Sequence, residues 1–128
     1  MNILLIEDDL DDIELLEDAL KDQDVSFTMK TLNDGSAAVD YIAASDNQPD
    51  IIILDFNLPK VHGREVVLEI KSSASFSMIP LVVLTTSSAR EDIEFSYSHG
   101  VDKFFTKPTT LADFSKIVEA IVNLGERN

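Results

Sequence analysis

Apolar residues in this chain fall into two kinds of segment. Ile3-Leu4-Leu5-Ile6, Ile51-Ile52-Ile53-Leu54 and Leu81-Val82-Val83-Leu84 are short unbroken runs, and longer stretches of helical period lie between them. A run that is apolar at every position, not at alternate ones, suits a parallel strand covered by helices on both faces. A weaker strand is predicted over Ser26 to Leu32, with Phe27 and Met29 on one side, and a short last one over Lys103 to Thr106. Leu10, Ile13, Leu16 and Leu20 stripe an acidic first helix. Ala38, Tyr41 and Ile42 mark a second after the turn Asn33-Asp34-Gly35, and Val66, Val67 and Ile70 a third that Gly63 opens. Ala89, Ile93 and Tyr97 stripe a fourth, which Gly100 ends. Leu111, Phe114, Ile117 and Ile121 stripe a fifth that starts at Thr110, where Thr110 and Asp113 have capping-box spacing. Pro49 and Pro80 stop the connections that lead into the third and fourth strands. A strand–helix alternation repeated five times predicts a doubly wound α/β domain, with a five-stranded parallel sheet and five helices.

Composition narrows the function classes. A chain of 128 residues with 45% apolar content suits one domain with one core. No repeat, low-complexity tract or linker interrupts the pattern, so residues 1–128 are expected to be a single domain without an effector. The formal charge of −14 and pI near 4.2 oppose contact with nucleic acid or an anionic membrane surface. The absence of cysteine rules out a disulfide framework and a thiolate metal site, and agrees with a cytoplasmic setting. No secretory signal pattern is present, and no apolar run approaches the ~18 residues of a membrane span.

In open parallel sheets ligands bind outside the carboxyl ends of the strands. The first predicted strand ends in Glu7-Asp8-Asp9, the third in Asp55, the fourth in Thr85-Thr86 and the fifth in Lys107-Pro108. Carboxylates sharing one crevice repel, each pair at ~4 Å costing about 1 kcal/mol in water and about 4 at an effective dielectric of 20. Lys107 offsets one charge, and an all-oxygen cluster suits a hard divalent cation, Mg²⁺ above all. A carboxylate beside Mg²⁺ with a lysine and a hydroxyl in reach is what in-line phosphoryl transfer to oxygen requires, with Asp55 attacking. Taken alone, Asp55 could equally cap the next helix; Asp8, Thr85 and Lys107 around it decide for chemistry. Asp9, Asp11 and Asp12 crowd the first turn of a helix, where the macrodipole favours negative charge, and are read as solvated residues outside the site. His62 and His99 have no partner motif and are read as surface loop residues. Phe95 lies about 200° around the fourth helix from both Ile93 and Tyr97, so it falls off the predicted core stripe. A solitary exposed aromatic is ordinary on a soluble protein.

Jointly, Ile6-Glu7-Asp8, Leu54-Asp55 with Pro59 and Gly63 beyond it, Leu84-Thr85 and Lys107-Pro108 resemble the receiver domain of two-component response regulators. The likeness runs from about Ile3 to Leu124. It implies the flavodoxin-like strand order 2-1-3-4-5, Asp55 as phosphoacceptor, and Mg²⁺ held by Asp8, Asp55 and the backbone carbonyl of Asn57, with Glu7 acting mainly through water. It also implies that Lys107 contacts the phosphoryl oxygens, that Thr85 and Phe104 form a switch, that Asn57 and Ser87 tune phosphoryl lifetime, and that Lys107-Pro108 is cis. Such a protein takes phosphate from a sensor histidine kinase and is not an enzyme with separate substrate turnover. Its output reaches a downstream protein through a changed surface. The resemblance further implies that the face of helix 4, strand 5 and helix 5 docks a partner or a second copy, with Phe95 as a candidate contact. Two positions depart from the commoner pattern: Glu7 stands where Asp is usual, and Phe104 where Tyr is frequent, which removes a hydroxyl. The runs Asn57-Leu58-Pro59-Lys60, Gly63-Arg64-Glu65-Val66, Thr85-Thr86-Ser87 and Phe105-Thr106-Lys107-Pro108 look most like single-domain regulators paired with phytochrome-type kinases.

Three other classes compete. A haloacid-dehalogenase-like hydrolase carries a second acid two residues after its nucleophile, where this chain has Asn57. A flavodoxin-like FMN carrier needs a hydroxyl- and glycine-rich cradle after the first strand, where Glu7-Asp8-Asp9 would repel phosphate. A receiver-like adaptor that takes no phosphate is opposed by the presence of Asp8, Asp55, Thr85 and Lys107.

Overall fold

The computed structural model describes residues 1–44 and 48–126. The expected domain end at Asn128 lies outside the described residues. Strands and helices alternate as β1 (Asn2–Ile6), α1 (Leu10–Lys21), β2 (Thr28–Leu32), α2 (Gly35–Ala44), β3 (Ile51–Leu54), α3 (Gly63–Ser72), β4 (Leu81–Thr85), α4 (Arg90–Ser98), β5 (Lys103–Thr106) and α5 (Leu111–Glu126). The sheet is parallel throughout, in the order β2-β1-β3-β4-β5. Ile6 aligns with Leu54 and Leu54 with Val83, so the central strands end level with one another. That level edge is what brings residues from four loops to one place.

Side chains alternate across the sheet, and both faces are apolar, which produces two cores. Leu4, Ile6, Ile52, Leu54, Leu81 and Val83 pack against Ala38 and Ile42 of α2 and Val66, Val67 and Ile70 of α3. On the other face Ile3, Leu5, Ile51, Ile53, Val82 and Leu84 pack against Leu16 and Leu20 of α1 and Ile117, Val118, Ile121 and Val122 of α5. Each fully buried aliphatic side chain contributes about 1.5–3 kcal/mol relative to exposure, so these layers carry the stability of the fold. Phe27 and Met29 both pack on the α1/α5 side, as their spacing requires.

Helix ends account for most departures from the hydrophobic pattern. Asp9 caps α1 by accepting from the N–H of Asp11 and Asp12, and Thr110 Oγ1 accepts from the N–H of Asp113 at 3.2 Å. Leu10 and Leu111, expected on buried stripes, are each 76% exposed. Both are first residues of helices that begin at the carboxyl edge of the sheet, so that turn overhangs the core. On α4 the stripe was misplaced. Ala89 is an exposed cap residue and Tyr97 is 50% exposed, whereas Ser96 is fully buried and Phe95 packs against the α2/α3 core. Burial of Ser96 is possible because its hydroxyl donates to the carbonyl of Asp92 at 2.7 Å, which hides its polarity within the helix. All described peptide bonds are trans, Lys107–Pro108 included, in contrast to the expected cis bond. Among the described residues no helix is long and apolar enough to cross a membrane.

Gly63 fixes the return of the β3–α3 loop. Its N–H donates to the carbonyl of Phe56 at 3.0 Å, and a Cβ there would collide with Phe56 Cα and lie 2.9 Å from the carbonyl oxygen of Asp55. Gly63→Ala is expected to destabilise the protein by about 1–3 kcal/mol in urea unfolding, the ordinary cost of overpacking. A loss below about 0.5 kcal/mol would show that the loop moves aside freely.

Candidate functional site

Four strand ends meet at the carboxyl edge of the sheet. The N–H of Glu7 donates to Leu32 O and that of Asp55 to Ile6 O, both at 3.0 Å, which extends the ladder one residue past β1 and β3. Likewise the N–H of Lys107 donates to Thr85 O at 2.7 Å, one residue past β5. These bonds set the side chains of Glu7, Asp55 and Lys107 over an apolar floor made by Leu5, Leu16, Ile53, Leu84 and Phe114. Lys107 Nζ lies 2.7 Å from Glu7 Oε1, 2.6 Å from Asp12 Oδ2 and 3.2 Å from Asp55 Oδ2.

Asp12 therefore belongs to the site, contrary to the reading that left it among the solvated acids of α1. It stands four and eight residues before Leu16 and Leu20, so it shares their face of the helix, and that spacing was the available signal. Asp9 and Asp11 are exposed, as expected, and Asp9 in addition caps α1.

The remaining groups line the rim. Carboxylate oxygens of Glu7, Asp8 and Asp55 lie within 4.8 Å of one another, and Asp8 is exposed to the crevice. Three convergent carboxylate oxygens without nitrogen or sulfur donors fit a hard divalent cation. Asp55 Oδ1 accepts the N–H of Asn57 at 3.2 Å. The Asn57 amide donates to Thr86 Oγ1 at 3.0 Å and to Thr85 Oγ1 at 3.4 Å, and the N–H of Ser87 also points at Thr85 Oγ1 at 3.4 Å.

Electrostatics divides the two buried carboxylates. Burial pushes Glu7 up to about 7, with the neighbouring Asp55 charge adding to the rise and contact with Lys107 opposing it. Burial also pushes Asp55 up, but hydrogen bonds from the Thr85 hydroxyl, the Asn57 N–H and Glu7, together with Lys107, outweigh it and hold Asp55 below the usual carboxylate range. Burial depresses Lys107, yet Asp12, Glu7 and Asp55 raise it above an ordinary lysine. Of the pair, Glu7 is thus the carboxyl that is hard to ionise and Asp55 the one whose anion is stabilised.

Two expected residues sit one layer away. Phe104 is half-buried, its ring edge-on to Phe56 at 5.9 Å between centroids, so it already faces inward. Phe95 is edge-on to the same ring at 6.4 Å, stacked on His99 at 4.1 Å, and covered by the Arg64 guanidinium at 5.2 Å. It is a packed residue and not the free aromatic its helical angle suggested. His62 and His99 are exposed; His62 Nδ1 caps α3 by accepting the N–H of Arg64.

The model of the response regulator receiver domain family matches residues 3–119. This chain belongs to that family. It is 39% identical over 124 residues to response regulator Rcp1 of Synechocystis, covering 93% of this chain and 84% of that protein. Its fold superposes on the phosphorylated cyanobacterial phytochrome response regulator RcpA with a TM-score of 0.88, at 39% identity, covering 98% of this chain and 93% of the other. It superposes on the Mn²⁺-bound form of Rcp1 with a TM-score of 0.85, at 38% identity over 94% and 90% of the two chains. The receiver is thus a two-component signalling domain similar to phytochrome response regulators, and family membership removes the hydrolase and flavin-carrier readings.

Glu7 sets a pH dependence. Its folded pKa, about 7, lies above the ordinary value of 4.5, so the folded state holds a proton that the unfolded state releases. Its contribution is then most favourable below 4.5 and is lost as pH rises through 7. With divalent ions chelated, urea-unfolding stability is expected to fall between pH 5 and 8 by on the order of 1–3 kcal/mol, and Glu7→Gln to flatten the slope. An equal slope in parent and variant would contradict this assignment.

Proposed function

We propose that this receiver accepts a phosphoryl group from the phosphohistidine of a sensor kinase on Asp55, with Mg²⁺ present, and signals through a changed protein-binding face. The observation that carries the proposal is the Asp55 carboxylate standing 3.2 Å from Lys107 Nζ in a crevice that Asp8, Asp9, Asp11 and Asp12 also line. An Asp55 oxygen attacks phosphorus, the new O–P bond forms as the P–N bond breaks, and the electron pair departs with the imidazole nitrogen. Lys107 leaves Asp12 and Glu7 to bind a phosphoryl oxygen, and the Thr85 hydroxyl donates to another. Asp8, Asp55 and the Asn57 backbone carbonyl, with Glu7 acting mainly through water, would hold Mg²⁺, and the ion would supply positive charge to screen the incoming oxygens. Manganese in Rcp1 supports a divalent ion here, and the all-oxygen donor set favours Mg²⁺.

The side chains of Asn57 and Ser87 flank Thr85 and control how water reaches the acyl phosphate, so they tune its lifetime. Phosphorylation adds about one unit of negative charge and three acceptor oxygens, enough to shift the Thr85 loop, behind which the Phe104 ring already packs inward. The protein acts as a phosphoacceptor with no separate substrate to turn over, in the cytoplasm. Similarity to Rcp1 and RcpA favours a phytochrome-type kinase, and the charge of −14 favours a protein target over nucleic acid. A second copy would meet the α4-β5-α5 face, where Tyr97 and Leu111 are exposed in place of the packed Phe95.

Incubated with a small phosphodonor and Mg²⁺, the parent should acquire acid-stable, base-labile label that Asp55→Asn abolishes. Lys107→Ala should label at least about tenfold more slowly, the scale of losing one charge-assisted contact in the transition state. Label persisting in Asp55→Asn would place the acceptor elsewhere.

A further inference from the structure

The Thr85 hydroxyl is linked by hydrogen bonds to a half-buried ion pair between α3 and α4 that the phosphorylation chemistry does not use. Asp92 on α4 is only 14% exposed at its side chain. Its Oδ1 receives both Arg64 Nε, at 2.8 Å, and Arg64 Nη2, two charge-assisted bonds on one oxygen that leave the other available. The free oxygen, Oδ2, accepts from the Ser87 hydroxyl at 2.6 Å. Ser87 Oγ in turn accepts the N–H of Ala89, and Ser87 N–H reaches Thr85 Oγ1. Ala89, at the cap position of α4, makes no side-chain cap bond, and Ser87 Oγ takes the Ala89 N–H from outside the helix, with Asp92 of the first turn holding that hydroxyl. Arg64 is held over the Phe95 ring, which orients its fork from beneath.

We infer that Asp92, oriented by Arg64, is a positioning residue that holds the β4–α4 loop through Ser87 and so sets where the Thr85 hydroxyl stands against Asp55. The inference rests on Asp55 being the acceptor and adds the device that presets Thr85 for transfer. A plain brace between α3 and α4 would use Asp92 only through Arg64. Here both oxygens are engaged, and the second is spent on the loop that carries Thr85. Thr106 Oγ1 donates to the Ser87 carbonyl at 3.2 Å, so the loop retains one anchor to β5 when the Asp92 contact is cut. The loop should then become misplaced without unfolding.

The test uses the whole protein with Asp92→Asn, Ser87→Ala, the double variant, Arg64→Ala and Arg64→Lys. At saturating small phosphodonor and fixed Mg²⁺, the labelling rate of Asp92→Asn and of Ser87→Ala should fall roughly three- to tenfold, the range that losing one hydrogen bond gives. The double variant should be no slower than the slower single, because both cut one chain of bonds. Mg²⁺ affinity should not change, and Arg64→Lys should keep more activity than Arg64→Ala. Rates within about twofold of the parent, or a double variant whose defect is the product of the singles, would overturn the inference. In unmodified protein, Asp92→Asn should also shift the amide signals of Thr85 and Thr86 and the side-chain amide of Asn57 in nuclear magnetic resonance spectra. Unshifted signals would overturn it independently of labelling. If the parent itself takes no label on Asp55, the acceptor reading fails, and these spectra alone decide the loop assignment.

Discussion

Two carboxylates, Glu7 and Asp55, are buried side by side at the ends of adjacent strands, and one ammonium group makes that tolerable. Lys107 is held against both by the backbone bond that extends β5 by one residue toward Thr85. A buried ion cluster of this kind is not a source of net stability, since desolvation of the charges consumes most of the Coulomb attraction. The two apolar layers on either face of the sheet supply the stability instead, and they hold the strand ends level enough for the charges to converge. The site is thus a place where the fold tolerates excess negative charge, with one of its carboxyl groups, Glu7, made harder to ionise by burial.

That condition suits the acceptor role proposed for Asp55. Asp55 stays anionic although buried, because hydroxyl, amide and ammonium donors all point at it, while Glu7 is the harder of the pair to ionise. A divalent cation and an anionic group entering together relieve the surplus charge, so the arrangement is better matched to the loaded crevice than to the bare one. Asp12 adds a competitor for the lysine: at 2.6 Å it is closer to Nζ than Asp55 is. A phosphoryl group must draw the lysine from a fixed carboxylate, which makes the response depend on the difference between two ion pairs and not on one contact.

The legible part of this architecture was what depends on period and on strand ends. Unbroken runs such as Ile51 to Leu54 can only be central parallel strands, and residues just past such runs must face the crevice, which placed Glu7, Asp8, Asp55, Thr85 and Lys107 correctly. Where the pattern is carried by few apolar residues it misled. On α4 the buried face contains a serine satisfied within its own helix and a phenylalanine covered by an arginine, so hydrophobicity by position points the wrong way. Leu10 and Leu111 continue a true stripe past the edge of the sheet, where nothing remains to cover them. Asp12 was hidden for the opposite reason: a charged residue on the core-facing stripe reads as a first-turn acid until a lysine from a strand 95 residues away is seen to meet it.

Phe104 constrains how a change at Asp55 can travel. In a switch driven by an aromatic ring moving into space vacated by a threonine, the ring must start outside, yet here it already lies edge-on to Phe56 and packs on the core. Lacking a hydroxyl, it gains nothing polar by swinging out, and its backbone N–H is tethered to Tyr97 Oη at 3.1 Å. The part of the path with two satisfiable arrangements is the loop from Thr85 to Ala89, whose polar groups are shared among Asn57, Asp92 and Thr106. Exchange of hydrogen-bond partners costs little when every group finds another, whereas moving a packed ring opens a cavity. If Asp55 takes the phosphoryl group as proposed, the change is expected to run through the loop toward α3 and α4 more readily than through the ring toward β5.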